Sequence, residues 1–103
     1  MSIVLSSFSP NLAVLSLSNS FTYDDSKHYR EKLLHITEQK PSQLEISLEQ
    51  LHFMDSSGLG MLLYTEKTCT SLNIGLRLMR PQGKVRDLLR LAHIDDRIAI
   101  IDG

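Results

Sequence analysis

A single cysteine, Cys69, occurs in 103 residues, so no internal disulfide can form and nothing in the chain calls for an oxidising compartment. Its place in a predicted helix beside Leu72 makes it a buried thiol. A basic excess is also missing. Eleven Lys and Arg against twelve Asp and Glu give a formal net charge of -1, without the electrostatic grip that holds proteins to nucleic-acid phosphates. No apolar run approaches the ~20 residues of a membrane span, and the first residues lack the basic and apolar regions of a secretory leader. The expected compartment is the cytoplasm, with neither nucleic acid nor membrane as a partner. Repeats, linkers and low-complexity tracts are absent too. A 42% hydrophobic and 22% charged composition then points to one globular domain over residues 1–103.

Three kinds of chemistry lack their residues. A serine nucleophile on a strand-to-helix elbow wants glycine two positions earlier, where Met54 precedes Ser56 and Asp55 precedes Ser57. A dinucleotide loop opening at Gly58-Leu59-Gly60 would need a third glycine where Leu63 stands. His28 and His35 are seven apart on one predicted helix and His52 and His93 are isolated. With no Cys or carboxylate at ligand spacing, no metal site and no cofactor are expected.

The pattern that is present alternates strands with amphipathic helices. Ile3 to Phe8 and Leu12 to Leu17 flank the turn residues Ser9-Pro10-Asn11 and read as a hairpin. The unbroken run Leu12-Ala13-Val14-Leu15 predicts a central strand buried on both faces. From Asp24 to about Lys40 the spacing of Tyr29, Leu33 and Ile36 predicts a helix, with Lys27, Arg30, Glu31 and Lys32 forming its solvated side. Leu44, Ile46 and Leu48 alternate with Glu45, Ser47 and Glu49 as a strand, beyond which Leu51 and Phe53 tuck beneath the next loop. A second helix runs from about Ser57 to Leu72, offering Leu59, Leu62, Leu63, Cys69 and Leu72 to the core. Asn73-Ile74-Gly75 leads into a strand from Leu76 to Met79. Val85, Leu88, Leu89 and Ala92 mark a third helix after Arg80-Pro81-Gln82-Gly83, and Ile98 to Ile101 form the last strand. The order ββαβαβαβ is an α/β fold with a mostly parallel mixed sheet, an N-terminal hairpin and crossover helices.

Between an apolar strand and the second helix lies Met54-Asp55-Ser56-Ser57-Gly58-Leu59-Gly60. Two hydroxyls and an acid sit where the first helical N–H groups lack intrahelical partners, so a phosphate there would meet donors and the positive dipole end. Asp55 or Ser56 can cap this helix, and Gly58 and Gly60 give a partner close access to the backbone. Met54, Leu59 and Met61 flank the serines and divide between core packing and partner anchoring according to their exposure.

The passage from Leu51 to Leu63, with its Asp55-Ser56-Ser57-Gly58-Leu59-Gly60 core, resembles the phosphorylation segment of the STAS family, specifically bacterial anti-sigma factor antagonists. Glu45-Ile46-Ser47-Leu48 is similar to the family's third strand, and Val85 to Ile94 to its last helix and following turn. The resemblance spans essentially the whole chain and implies a STAS domain. It implies Ser56 as phosphoacceptor, with Ser57 as the alternative, and a partner surface around Asp55, Ser57, Gly58, Leu59, Gly60, Met61 and Thr22. The implied partners are an anti-sigma factor that is itself a serine kinase of histidine-kinase-like ATPase fold, and a metal-dependent, PPM-type serine phosphatase. Such a protein is a substrate and not an enzyme: the unmodified form binds the anti-sigma factor and the phosphorylated form does not. A STAS subunit of a transport or signalling assembly, binding without phosphorylation, is the alternative.

One stretch departs from the family. A Gly-Glu-hydrophobic-Asp turn often follows its second strand, whereas Asn19-Ser20-Phe21-Thr22 stands here, with Thr22 in place of the closing acid.

Overall fold

In the computed structural model, which describes residues 3–102, the turn Ser9-Pro10-Asn11 folds β1 (Ile3–Phe8) antiparallel onto β2 (Leu12–Phe21). Ser9 closes it on both sides. Its N–H donates to the Leu12 carbonyl at 2.9 Å, and its Oγ accepts from the Leu12 N–H at 3.1 Å. A 3-10 turn, Tyr23–Asp25, then leads into α1 (Ser26–Glu38), followed by β3 (Gln43–Met54), α2 (Ser56–Ser71) and β4 (Gly75–Met79). After α3 (Gly83–Leu91), a second 3-10 turn, Ile94–Asp96, precedes β5 (Ala99–Ile101). This is the ββαβαβαβ order expected from the sequence.

The sheet order is β1-β2-β3-β4-β5, with β2 through β5 parallel to one another. Crossovers between parallel strands are right-handed, so a sheet that advances in one direction receives every crossover helix on the same face. Burial follows that geometry. Ala13, Leu15, Leu17, Leu44, Ile46, Leu48 and Leu78 are fully buried and share one cluster with Tyr29, Leu33 and Ile36 of α1, Leu62 and Cys69 of α2, and Val85 and Leu89 of α3. Their neighbours in sequence on the other face, Leu12, Val14, Gln43, Glu45, Ser47, Arg77 and Met79, are only half-buried. The expectation that β2 is buried on both faces is therefore corrected. It is internal, between β1 and β3, but its second face has no helix above it.

Strands β2 and β3 are longer than the apolar pattern indicates. Beyond Leu17 the pairing continues through Ser18↔Gln50, Asn19↔Leu51, Ser20↔Phe53 and Phe21↔Met54, with register shifts between Ser16 and Ser18 and between Asn19 and Ser20. The stretch Asn19-Ser20-Phe21, aligned by resemblance with a turn, is strand. Leu51 is buried as expected, but Phe53 is 51% exposed, because the register shift between Asn19 and Ser20, which pair with Leu51 and Phe53, leaves His52 as an extra residue and reverses the alternation, so that Met54 turns inward and Phe53 outward. In α2 the inward residues are Gly58, Met61, Leu62, Thr65 and Cys69, with Leu59 and Leu63 half-buried and Leu72 exposed beyond the last turn. Likewise Ala92 is the exposed C-cap of α3 and not part of its buried face.

Two interactions lock α1 to α2 and the sheet. Tyr29 meets Phe21 edge-on with ring centroids 4.9 Å apart, a geometry favoured by the ring quadrupoles. Its buried hydroxyl donates to Thr65 Oγ1, whose own hydroxyl donates to the Met61 carbonyl at 2.7 Å. Burial pushes the Tyr29 pKa far above the usual phenol range, against the smaller opposing effect of its hydrogen bond with Thr65. Helices α1, α2 and α3 are each followed, just past the C-cap, by a residue with positive φ, Lys40, Asn73 and His93. The left-handed conformation there ends the helix.

Candidate functional site

Phe21 and Met54, paired at the ends of β2 and β3, bring two connections together at the same edge of the sheet. One is the Thr22–Asp25 turn before α1 and the other is the start of α2. Asp55 joins them. It is the extended N-cap of α2, and its Oδ1 accepts from the Gly58 N–H at 2.8 Å while Oδ2 accepts from the Tyr23 N–H at 3.3 Å. One carboxylate thus satisfies a helix-end donor and fastens a loop 32 residues away in sequence. Within that loop the Thr22 N–H donates to Asp25 Oδ2 at 2.9 Å, and the Ser26 hydroxyl donates to the Tyr23 carbonyl at 2.7 Å. Asp25 and Asp55 are both occupied in holding backbone.

Ser56 is the first helical residue of α2 and is exposed, while Ser57 beside it is half-buried. A group attached to Ser56 stands at a helix N-terminus, where dipole and N–H groups favour negative charge. Gly58 and Gly60 do different things. A Cβ at Gly58 would lie 2.4 Å from the Phe21 carbonyl oxygen and 2.6 Å from Met54 Cγ, whereas one at Gly60 would have nothing within 4 Å. Gly58 is buried, and the close approach it permits is by the chain itself. Gly60 alone keeps the backbone open to solvent. Met54 and Met61 turn inward and Leu59 is half-buried. The residues singled out from the sequence therefore meet at one corner, with Asp55, Ser56, Ser57, Leu59, Gly60 and Thr22 accessible and Gly58 and Met61 beneath them.

The structure adds residues that the sequence pattern did not single out. Tyr23 from the 3-10 turn and Ser26 and Arg30 from the start of α1 join Ser57, Gly60, Met61 and Tyr64 around a shallow cavity of about 250 Å³. Tyr23 is 72% and Tyr64 52% exposed, large aromatic surfaces outside the apolar periodicity. That mismatch was their only signal in the sequence, where Arg30 reads as part of the charged side of α1, a solvated face or else a docking surface. Among the described residues no group of three or more His, Cys, Asp or Glu could hold a metal ion, and no helix is long and apolar enough to cross a membrane. Cys69 lies inside α2, where burial, with Glu66 nearby as the smaller cause, pushes its thiol up to about 11.

The sequence matches the STAS domain family over residues 5–102, and the chain belongs to that family. Among solved structures it is similar to the anti-sigma factor antagonist SpoIIAA. Against the unphosphorylated form the identity is 20%, with 95% of this chain and 86% of that chain covered and a TM-score of 0.82. Against the phosphorylated form from Bacillus the values are 19%, 95%, 89% and 0.74. It is also similar to a sulfate transporter family protein from Wolinella succinogenes, at 13% identity over 88% of this chain and 76% of that one, with a TM-score of 0.77. At these identities the likeness is one of fold. A search of the curated proteins finds no match.

Proposed function

We propose that this STAS domain is an anti-sigma factor antagonist whose partner binding is controlled by phosphorylation of Ser56. The observation that carries the reading is the exposed Ser56 hydroxyl at the first helical position of α2, behind an Asp55 cap whose carboxylate is already engaged. A kinase reaches such a hydroxyl without disturbing the fold. Membership of the STAS family and the likeness to an antagonist solved with and without phosphate support it. The protein is then a phosphoacceptor and not an enzyme, working in the cytoplasm. An anti-sigma factor that is also a serine kinase of histidine-kinase-like ATPase fold adds the phosphate, and a PPM-type serine phosphatase removes it.

The physical switch is electrostatic. Phosphate adds about -1.5 to -2 charges at neutral pH on a surface that the partner must desolvate, and each ~1.4 kcal/mol of lost interaction is about tenfold in affinity. Stabilisation of the phosphate by the helix dipole, about 0.3 to 1 kcal/mol at an exposed site, keeps the modified domain folded. Binding changes while the backbone stays in place. Intact mass after incubation with the partner kinase and ATP tests this, with one phosphate expected on the native protein and none on Ser56→Ala; equal labelling of both removes Ser56 as acceptor. For the complex, Ser56→Asp weakens binding and Ser56→Ala retains it.

The likeness to the sulfate transporter family protein favours a second reading, in which the same corner binds its assembly without modification. There Ser56 stays unphosphorylated and Ser56→Asp binds as the native chain does.

A further inference from the structure

The cavity between the first turns of α1 and α2 has one cation and no acid. Arg30 is the only charged side chain among its seven lining residues, the rest being Tyr23, Ser26, Ser57, Gly60, Met61 and Tyr64. Among the described residues Arg30 enters none of the four ion pairs, which involve Arg77, Arg80, Arg86 and Arg97. Asp25 and Asp55, in the two connections beside the cavity, accept backbone N–H groups and, among the described residues, form no ion pair with Arg30. Tyr23 and Tyr64 supply exposed aromatic rims, and the missing side chain of Gly60 leaves the space beside it empty. A guanidinium with five donors, flanked by hydroxyls and aromatic faces, suits a carboxylate on a short apolar stem.

We propose that this cavity receives an acidic side chain of the partner protein, with Arg30 as its counter-charge and Gly60 as the gap that admits it. The proposal rests on the partner-switching reading for the identity of the partner and adds the chemistry by which that partner docks. It also gives the switch a direction. Ser57 lines the cavity and Ser56 is its neighbour, so a phosphate on Ser56 puts about -1.5 to -2 charges beside the place where the partner's carboxylate must enter. Repulsion between like charges disfavours the complex. The same phosphate draws on Arg30, leaving less positive potential for an incoming acid.

The test uses the full, unphosphorylated chain without any kinase, so its outcome is independent of whether Ser56 is modified. The probes are a capped peptide of alternating leucine and glutamate, its glutamine counterpart and inorganic phosphate, each titrated while amide NMR shifts are followed. Saturable shifts at Ser57, Gly60 and Tyr64 are expected with the glutamate peptide and not with the glutamine one. A charge-assisted contact is lost in Arg30→Gln, which weakens binding at least about tenfold, while Arg30→Lys retains part of it. Gly60→Leu fills the gap and abolishes the response, and unchanged shifts across the sheet show that both variants remain folded. Equal response to the glutamine peptide, no saturable response to the glutamate peptide, or native-like binding by Arg30→Gln overturns the proposal. Shifts with inorganic phosphate alone overturn it in favour of a general anion site. A negative kinase assay alongside positive peptide titrations would remove the Ser56 reading and leave the cavity's preference standing.

Discussion

Gly58→Ala and Gly60→Ala differ by two positions in one helix, and the geometry at α2 predicts opposite outcomes for them. The added methyl at Gly58 meets the Phe21 carbonyl oxygen at 2.4 Å and Met54 Cγ at 2.6 Å. Met54 Cγ belongs to a flexible side chain that can swing away. The Phe21 oxygen cannot, because Phe21 is held in the β2–β3 ladder opposite Met54. Overpacking of this kind costs about 1 to 3 kcal/mol, and a rigid backbone obstacle puts it at the upper end. Replacing glycine by alanine inside a helix returns about 1 kcal/mol. The net loss is about 2 kcal/mol, or about 10 °C in Tm at roughly 4 to 8 °C per kcal/mol for a domain of this size. At Gly60, where nothing lies within 4 Å, only the propensity gain of about 0.5 to 1 kcal/mol operates, and Tm rises by about 4 °C. Urea and thermal unfolding followed by circular dichroism measure both. Gly58→Ala unfolding at or above the native midpoint would refute the claim that α2 sits against β2 through this contact.

Three further outcomes follow from the hydrogen bonds and burial of the same domain. Thr65→Val leaves the buried Tyr29 hydroxyl without its acceptor and costs about 1 to 3 kcal/mol, whereas Tyr29→Phe costs about 1 kcal/mol because Thr65 keeps its bond to the Met61 carbonyl; urea midpoints in the reverse order would contradict the assigned hydrogen-bond direction. Asp55→Ala removes the α2 cap at a cost of about 1 kcal/mol and frees the Tyr23 N–H, so hydrogen exchange at Tyr23 accelerates; unchanged exchange there would mean that the carboxylate does not hold the loop. The third concerns alkaline pH. Burial raises Cys69 from 9.0 to about 11 and lifts Tyr29 well above 10.0, so the folded state holds both protons more tightly than the unfolded chain. The Cys69 contribution is fully present below about pH 9 and is lost as pH rises through about 11, whereas that of Tyr29 is fully present below about pH 10 and is lost progressively above it. The slope of stability against pH over that window should flatten in Cys69→Ala and flatten further when Tyr29→Phe is added; an unaltered slope would remove these two groups as its source.

What the sequence alone determined was whatever depends on local periodicity and turn chemistry. The hairpin turn at Ser9-Pro10-Asn11, the inward faces of α1 and β3, the ββαβαβαβ order and the STAS membership all come from residues close together in the chain. That Asp55 or Ser56 caps α2 is likewise local, and the structure selects Asp55, whose carboxylate reaches the N–H three residues on. The tertiary structure decided what depends on the direction in which the sheet advances and on which ends meet. Leu12 and Val14 look central by composition, yet one-sided crossovers leave their face uncovered. Ser18, Asn19, Ser20, Glu49, Gln50 and His52 carry no apolar signal, yet backbone pairing extends both strands through them because a β-ladder needs no particular side chain. That extension sets Phe21 beside Met54, gives Gly58 a different duty from Gly60, and carries Tyr23 and Arg30 to the flank of the two serines. No spacing in the sequence encodes such a juxtaposition, since it exists only after the strands have paired.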